Sequence, residues 1–84
     1  MRISGFITLG EEGDYRFSLA SDDGSKLFID EREIVNNDGM HAAKEVSAPV
    51  RLAKGKHALL ILYFERWGDQ SLSLSIEEIG RAHV

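Results

Sequence analysis

Apolar and polar residues alternate with a period of two along most of the chain, a spacing that predicts β-strands rather than helices. Residues 15–20 alternate Tyr, Phe and Leu with Arg, Ser and Ala. Residues 71–76 alternate Ser with Leu, Leu and Ile, which is typical of a half-buried strand with a hydroxyl-rich outer face. The pattern therefore predicts an all-β domain.

One segment departs from this alternation, because residues 58–64 are apolar at every position. Such a run is typical of a central strand that is covered on both faces, although a buried helix has the same appearance. The flanking Gly55 and Gly68 and the β-rich surroundings favour a strand. We therefore expect Leu60 and Leu62 to be buried on a strand in the middle of a sheet.

Clusters of Gly, Asp and Asn separate the apolar runs at short intervals, as they do in antiparallel sandwiches and barrels. The segment from Asn37 to Lys44 is predicted to be a polar loop in which Met40 and His41 pack inward. The predicted fold class is all-β, an antiparallel β-sandwich or barrel that is incomplete. Strands are predicted near residues 3–9, 14–21, 25–30, 32–36, 46–52, 57–66 and 70–77.

Length and composition limit the possible functions. At 84 residues the chain forms at most one domain, near the lower size limit for a self-sufficient core. The absence of cysteine excludes disulfides and zinc sites of the Cys/His kind. The net charge of −4, from 14 acidic and 10 basic residues without long runs, gives no basic surface for nucleic acid. No apolar run approaches the length of a membrane span.

The last seven residues, 78–84, resemble the in-frame translation of a sequencing adapter. We therefore expect the gene to continue beyond this sequence and the native part of the domain to occupy residues 1–77. A segment of that origin did not evolve with the core, so residues 78–84 are not expected to be part of the domain. The N-terminus lacks the apolar core of a signal peptide, which means little in a fragment.

The most informative candidate for chemistry is the pair Asp22 and Asp23, which precedes Gly24 between two apolar runs. Clustered carboxylates at a loop tip are typical ligands of hard cations such as Ca²⁺, and a cation there can hold the hydroxyls of a ligand. Asp-Asp-Gly also suits a hairpin turn, because Asp and Gly both tolerate positive φ angles. The residues alone leave both interpretations open.

A second candidate is the segment Glu65-Arg66-Trp67-Gly68-Asp69, which follows the predicted central strand. An exposed aromatic ring beside polar groups is a common platform for a sugar, since the C–H face of a pyranose stacks on a π face. Trp67 would equally suit a position that caps the core. The segment is therefore a candidate for ligand binding, with a structural role as the alternative.

Catalysis finds little support in the sequence. There is no cysteine nucleophile, and no serine stands in a Gly-x-Ser-x-Gly elbow. His41, His57 and His83 lack the spacing of helical metal ligands, and His57 is expected at the surface because it lies at a strand entrance. A domain this small offers no deep cleft in which burial would raise the pKa of one carboxyl group. We therefore expect a non-catalytic protein.

Taken together, these segments resemble the PA fourteen-kilodalton domain family, the protective antigen-type domain. The resemblance covers residues 2 to about 77, and its specificity comes from the order of the motifs rather than from any one of them. It implies a β-sandwich or barrel module, located outside the cell or at its surface, in glycosidases, adhesins, toxins and other secreted proteins. The motifs are residues 2–7, 13–17, 21–30, 37–41, 50–52, 55–57, 63–65 and 72–74.

The resemblance also implies a site. Fungal adhesin members bind glycans through calcium, held by an Asp-Asp pair with a cis peptide bond and by an asparagine and carbonyls of a second loop. The pair corresponds to Asp22 and Asp23, and the position of the family's asparagine falls at or near Glu65. Glutamate ligates calcium as well as asparagine does. The second loop corresponds to the segment near Trp67 to Asp69, and the candidate ligand-binding residues are Asp22, Asp23, Trp67 and Asp69. The implied partners are a glycan or cell-surface polysaccharide and the flanking domains of a larger chain.

Three features depart from the family pattern. Glu31 stands where a glycine usually follows the strand aspartate, so the hairpin after Asp30 is not expected to be the tight Asp-Gly type. Ile3 replaces an aromatic residue, and the N-terminal strands of the family are missing. The resemblance thus predicts a carbohydrate-binding module with calcium as its candidate cofactor. The alternative is a structural spacer or protein-interaction module without a ligand.

Overall fold

The computed structural model describes residues 1–21, 24–37, 44–64 and 72–80. Within these residues every predicted strand is confirmed, with ends that differ from prediction by three residues at most, and no helix that could span a membrane occurs. The strands are β1 (Arg2–Leu9), β2 (Gly13–Ser21), β3 (Gly24–Ile29), β4 (Arg32–Asn37), β5 (Lys44–Leu52), β6 (Gly55–Phe64) and β7 (Leu72–Gly80).

The strands form two antiparallel sheets that are not closed into a barrel. The four-stranded sheet has the order β1-β6-β3-β4, and the three-stranded sheet has the order β5-β2-β7. Each sheet is hydrophobic on the face that meets the other sheet, which is the arrangement of a sandwich. The all-β antiparallel prediction is therefore confirmed, in its sandwich form.

The core lies between the two sheets and takes one face of each strand. Phe17 and Leu19 of β2 and Leu27 of β3 are completely buried. The core residues stand at every second position of β2 and β3, which is why the period-two pattern identified these strands. The buried cluster comprises Tyr15, Phe17, Leu19, Leu27, Ile29, Val35, Leu52 and Ile61.

Strand β6 is central in its sheet, as predicted, but only one of its faces is buried. Ile61 and Tyr63 are 8% and 2% exposed and lie on the inner face. Leu60 and Leu62 lie on the outer face, where they are half-buried, and Phe64 on that face is exposed. The expectation of burial on both faces is therefore wrong. The three-stranded sheet covers the inner face, whereas no strand in the described part of the chain covers the outer one.

The β3–β4 hairpin is tight, contrary to the expectation based on Glu31. Asp30 and Glu31 form the two-residue loop with φ angles of 50° and 70°. Positive φ at both central positions is typical of type I′ turns, whose twist matches that of the flanking strands. Asp tolerates this region, but Glu31 is strained there, so contacts from elsewhere must hold the turn in this conformation.

Strand β7 ends at Gly80, three residues beyond the predicted end at residue 77. Glu78 pairs with Tyr15 and Gly80 pairs with Asp14, across an irregularity in the register of β2 and β7. The first three residues of the adapter-like segment therefore continue the strand. The adapter origin of residues 78–84 and the domain limit at residue 77 stay predictions.

Candidate functional site

The candidate site residues lie outside the part of the chain that the structure describes. Their proposed roles as calcium ligands and sugar contacts, and the cis peptide bond of the aspartate pair, stay predictions. The inward packing of Met40 and His41, in the loop before β5, also stays a prediction. What the structure does describe is the set of strand ends that flank these segments. The residues concerned are Asp22, Asp23, Glu65, Trp67, Asp69, Met40 and His41.

The described strand ends that flank the two predicted ligand segments are paired with each other. Gly24 follows the aspartate pair and is paired with Phe64, the last described residue before segment 65–71. Ser21 precedes the pair and is paired with Leu72, the first described residue after that segment. The residues on both sides of the aspartate pair are thus ladder partners of the residues on both sides of the second segment.

The loop between β4 and β5 begins and ends at the same end of the sandwich. Asn37, the last residue of β4, is paired with Ser25. Lys44, the first residue of β5, is paired with Ser21. The described ends of three connections therefore lie on neighbouring strands at this end of the sandwich.

The aspartate pair does not belong to a hairpin. Strand β2 lies in the three-stranded sheet and β3 in the four-stranded sheet, and the two strands are not paired with each other. The two strands that flank a hairpin turn must pair, so the hairpin interpretation of Asp22 and Asp23 is wrong. The connection through these residues links one sheet to the other.

A buried network of polar side chains lies at the strand ends next to this connection. The hydroxyl oxygens of Ser21 and Ser25 are 2.7 Å apart and share a hydrogen bond. The Asn37 side-chain amide donates to the Leu19 carbonyl at 3.1 Å and lies 3.5 Å from the Ser21 hydroxyl. The three polar side chains are 0%, 0% and 2% exposed. Buried polar groups are costly unless they are hydrogen-bonded, so this network fixes the relative positions of β2, β3 and β4 there.

This network was not predicted from the sequence, because Asn37 was expected to lie in a polar loop. Asn37 is instead the last residue of β4 and is almost fully buried. It stands two positions after the buried Val35, so strand alternation was the signal that would have placed it on the inner face. The preference of asparagine for turns favoured the loop interpretation.

A second polar pair, between the buried His57 and the partly exposed Asp30, lies at the opposite end of the sandwich. The Nδ1 atom of His57 lies 2.6 Å from a carboxylate oxygen of Asp30, and its Nε2 atom lies 2.7 Å from the carbonyl oxygen of Ala53. The other carboxylate oxygen of Asp30 accepts a hydrogen bond from the Ala58 amide at 3.0 Å. These contacts tie the strained β3–β4 turn to the beginning of β6.

The two side chains of this pair shift each other's protonation. The hydrogen bond with Asp30, followed by the one with the Ala53 carbonyl, raises the pKa of His57 above its ordinary value of 6.5. The same hydrogen bond, with that from the Ala58 amide, lowers the pKa of Asp30 below 3.8. The expectation that His57 lies at the surface is wrong, because its residue is only 9% exposed. Its alternation with Leu59 and Ile61 was the available signal.

The outer face of the four-stranded sheet carries an open apolar groove of about 580 Å³. Phe6 is 65% exposed beside it, and the ammonium of Lys56 lies 4.3 Å from the centre of the Phe6 ring. Exposed apolar surfaces of this kind are typical of interaction surfaces. The groove is lined by Arg2, Ser4, Gly5, Phe6, Phe28, Glu31, Ala58, Leu59 and Leu60.

Among the described residues, no group of three or more histidines or carboxylates is placed to hold a metal ion. The carboxylates proposed for calcium stand outside those residues. The donor set itself, two aspartates and a glutamate, consists of the oxygen ligands that calcium prefers. The calcium prediction therefore depends on that chemistry, on the resemblance and on the flanking strand ends.

The sequence profile of the PA14 domain matches residues 1–81 of the chain. The matched range contains all seven strands and the three connections at the candidate site. No curated protein and no solved structure matches the chain.

Proposed function

The chain belongs to the PA14 domain family, and from this premise we propose that it is a non-catalytic carbohydrate-binding module of a larger secreted protein. PA14 domains are β-type modules that often bind carbohydrate within larger proteins, and they generally occur in secreted or surface proteins. The proposed ligand is a glycan, and the proposed cofactor is Ca²⁺ bound by Asp22, Asp23 and Glu65. Trp67 and Asp69 are the proposed sugar contacts.

The pairing of Gly24 with Phe64 is the observation that supports this proposal most directly. Asp23 is the residue before Gly24, and Glu65 is the residue after Phe64. Because the two strands are antiparallel, the chain leaves this residue pair in the same direction towards Asp23 and towards Glu65. Consecutive Cα atoms are about 3.8 Å apart, so covalent connectivity keeps both carboxylates close to that position. Two carboxylates from different parts of the chain at one strand end suit a shared cation.

The buried Ser21, Ser25 and Asn37 network gives this end of the sandwich a fixed framework. Binding loops bind most tightly when a rigid scaffold positions them, because less freedom is lost when the ligand binds. The network holds the last residue of β2 and the second residue of β3, which enclose the aspartate pair. We infer that it holds the pair ready for a cation.

Under this proposal each residue of the site has a separate role. Asp22, Asp23 and Glu65 supply carboxylate oxygens, and a bound calcium ion would accept the hydroxyl oxygens of a sugar as further ligands. Trp67 offers a π face to the C–H face of the sugar ring. Asp69 accepts hydrogen bonds from sugar hydroxyls.

The second candidate function is a structural spacer or a protein-interaction module without a ligand. The exposed apolar outer face of the four-stranded sheet favours it, because Phe6 and Phe64 are 65% and 48% exposed. Side chains of this kind suit contact with a flanking domain of the same chain. A module of this kind would use the same fold and would need neither calcium nor sugar.

A thermal melt with millimolar calcium, with magnesium and with chelator tests the calcium site. Calcium should stabilise wild type by about 2.7 kcal/mol at a hundredfold excess over its dissociation constant, by mass action. Magnesium should do less, because it prefers a smaller octahedral shell and keeps its waters. Asp23→Asn should weaken the response, because it removes one of two adjacent charges that calcium neutralises.

Asp14→Asn is the matched control, because Asp14 is an exposed carboxylate on β2 that pairs with Arg51 at 3.3 Å, away from the candidate site. It should respond to calcium as wild type does. Equal melting temperatures of wild type in calcium and in chelator would contradict the calcium site. A glycan array in calcium and in chelator then separates the two functions. Glycan binding that chelation abolishes supports the carbohydrate-binding function, and no binding in either condition favours the spacer.

A further inference from the structure

His57 joins three separate parts of the fold. The ring itself lies near the beginning of β6, Asp30 belongs to the β3–β4 turn, and Ala53 belongs to the connection between β5 and β6. We propose that His57 and Asp30 form a pH-sensitive latch, which ties the β3–β4 turn to the β5–β6 connection while the imidazole carries a proton on both nitrogens.

Each ring nitrogen of His57 lies beside an oxygen atom that accepts hydrogen bonds. A backbone carbonyl can only accept a hydrogen bond, and an ionised carboxylate can only accept one. The distances from the ring nitrogens to these oxygens are 2.6 Å to Asp30 and 2.7 Å to Ala53, in the range of short charge-assisted hydrogen bonds. Both bonds need a ring N–H, and only the imidazolium has two.

Loss of one ring proton opens the latch on one side. A neutral imidazole keeps a single N–H, so its other nitrogen would direct a lone pair at an oxygen less than 3 Å away. Two acceptors at that distance repel each other, and one contact must lengthen. If the contact with Asp30 is lost, the β3–β4 turn loses its side-chain tie to β6.

In the described part of the chain, the other residues paired with or bonded to His57 are neutral. On β1 the residue paired with His57 is Ile7, which is neutral, and the carbonyl partner comes from the neutral Ala53. Among the described residues Asp30 is the charged group in contact with the imidazole. Lys54 and Lys56 are close to His57 in the sequence, and Glu31 lies in the same turn as Asp30.

The latch stabilises a strained turn. The backbone amide of Asp30 donates to the Ala58 carbonyl at 2.9 Å, and its carboxylate accepts from the Ala58 amide at 3.0 Å. These bonds, with the one to His57, hold Asp30 and Glu31 at positive φ. Opening the latch therefore weakens the turn at the end of the sandwich opposite the aspartate pair.

The direction of the pH effect follows from the two shifted groups. The pKa of His57 is raised in the folded protein, so its contribution to stability is complete below pH 6.5 and is lost as pH rises through the raised pKa. The pKa of Asp30 is lowered, so its contribution is present above pH 3.8 and is lost as pH falls through the lowered pKa. The latch is closed between the lowered pKa of Asp30 and the raised pKa of His57.

Nitrogen NMR of the imidazole ring during a pH titration of the full chain tests the proposal. At pH 6 both ring nitrogens of His57 should be protonated, and the ring should titrate above 6.5. Single His41→Gln and His83→Gln variants assign the His57 signals. A neutral ring at pH 6, or a midpoint at or below 6.5, would overturn the latch.

Urea unfolding at a series of pH values provides the second readout. Wild type should lose stability between pH 6.5 and the raised pKa, and Asp30→Asn should lower the His57 midpoint towards 6.5, because it removes the charge and keeps an acceptor for Ala58. His57→Gln should flatten the profile above pH 6.5. An unchanged His57 titration midpoint in Asp30→Asn would overturn the pairing. This test does not depend on data from a variant that fails to fold.

Discussion

The two faces of the four-stranded sheet are built from similar residues and have opposite environments. On the inner face Leu27 and Ile61 are 0% and 8% exposed, and on the outer face Leu62 is half-buried and Phe6 is 65% exposed. Strand β6 is apolar along most of its length, so its own composition does not distinguish the faces. The difference shows that the opposing sheet, and not the hydrophobicity of the strand, decides which side chains enter the core.

The first prediction compares neighbours on β6. Ile61→Ala should destabilise the domain by about 2–5 kcal/mol, because it leaves a cavity between the sheets. Leu62→Ala should cost only about 1 kcal/mol, since a half-buried side chain loses roughly half of the 1.5–3 kcal/mol of a fully buried one. Urea unfolding of both variants measures the difference.

Because the larger loss can unfold a small domain, Ile61→Val serves as the milder variant, with an expected cost of about 0.5–1.5 kcal/mol. Equal losses for Ile61→Ala and Leu62→Ala would mean that another part of the protein covers the outer face in solution.

The second prediction makes the same comparison for polar residues on β4. Asn37→Ala should destabilise the domain by about 1–3 kcal/mol, because it leaves the buried Leu19 carbonyl without its side-chain donor. Asn36→Ala, at the exposed neighbouring position, should change stability by less than about 0.5 kcal/mol. Chemical denaturation checks both, and a larger effect at Asn36 would contradict the assignment of the faces.

The third prediction concerns the turn that ends β3. Glu31→Gly should stabilise the domain by about 1 kcal/mol, because glycine adopts the φ of 70° without the strain of a Cβ atom. Glu31→Ala removes the same charged side chain and keeps the Cβ, so it should not stabilise. A thermal melt separates the two variants, and a gain shared by both would point to charge rather than to backbone strain.

Strand positions follow from local information, which is why they could be read directly from the sequence. Side chains alternate between the two faces of any strand, so Tyr15, Phe17 and Leu19 identified both β2 and its inner face. The tight turn at Glu31 could not be read in this way. Its conformation depends on the hydrogen bonds of Asp30 with His57 and Ala58, which are distant in sequence.

The candidate site also combines residues that local sequence predicts with strand pairings that local sequence does not predict. The carboxylates Asp22, Asp23 and Glu65 were chosen from local motifs and the family resemblance. The ladder partnership of Gly24 with Phe64 beside them, and the burial of Asn37, depend on which strands meet. No local pattern contains that information, because strand pairing joins residues that are far apart in the chain.

By itself the sequence determined the all-β class, the order of seven strands and the inner faces of the alternating ones, because the pleat imposes a period of two on each strand separately. Only the tertiary structure decided that β2 and β3 lie in different sheets, that β6 has one open face and that His57 is buried between acceptors. These features arise from contacts between strands, and a strand's own residues do not specify which neighbour covers each of its faces.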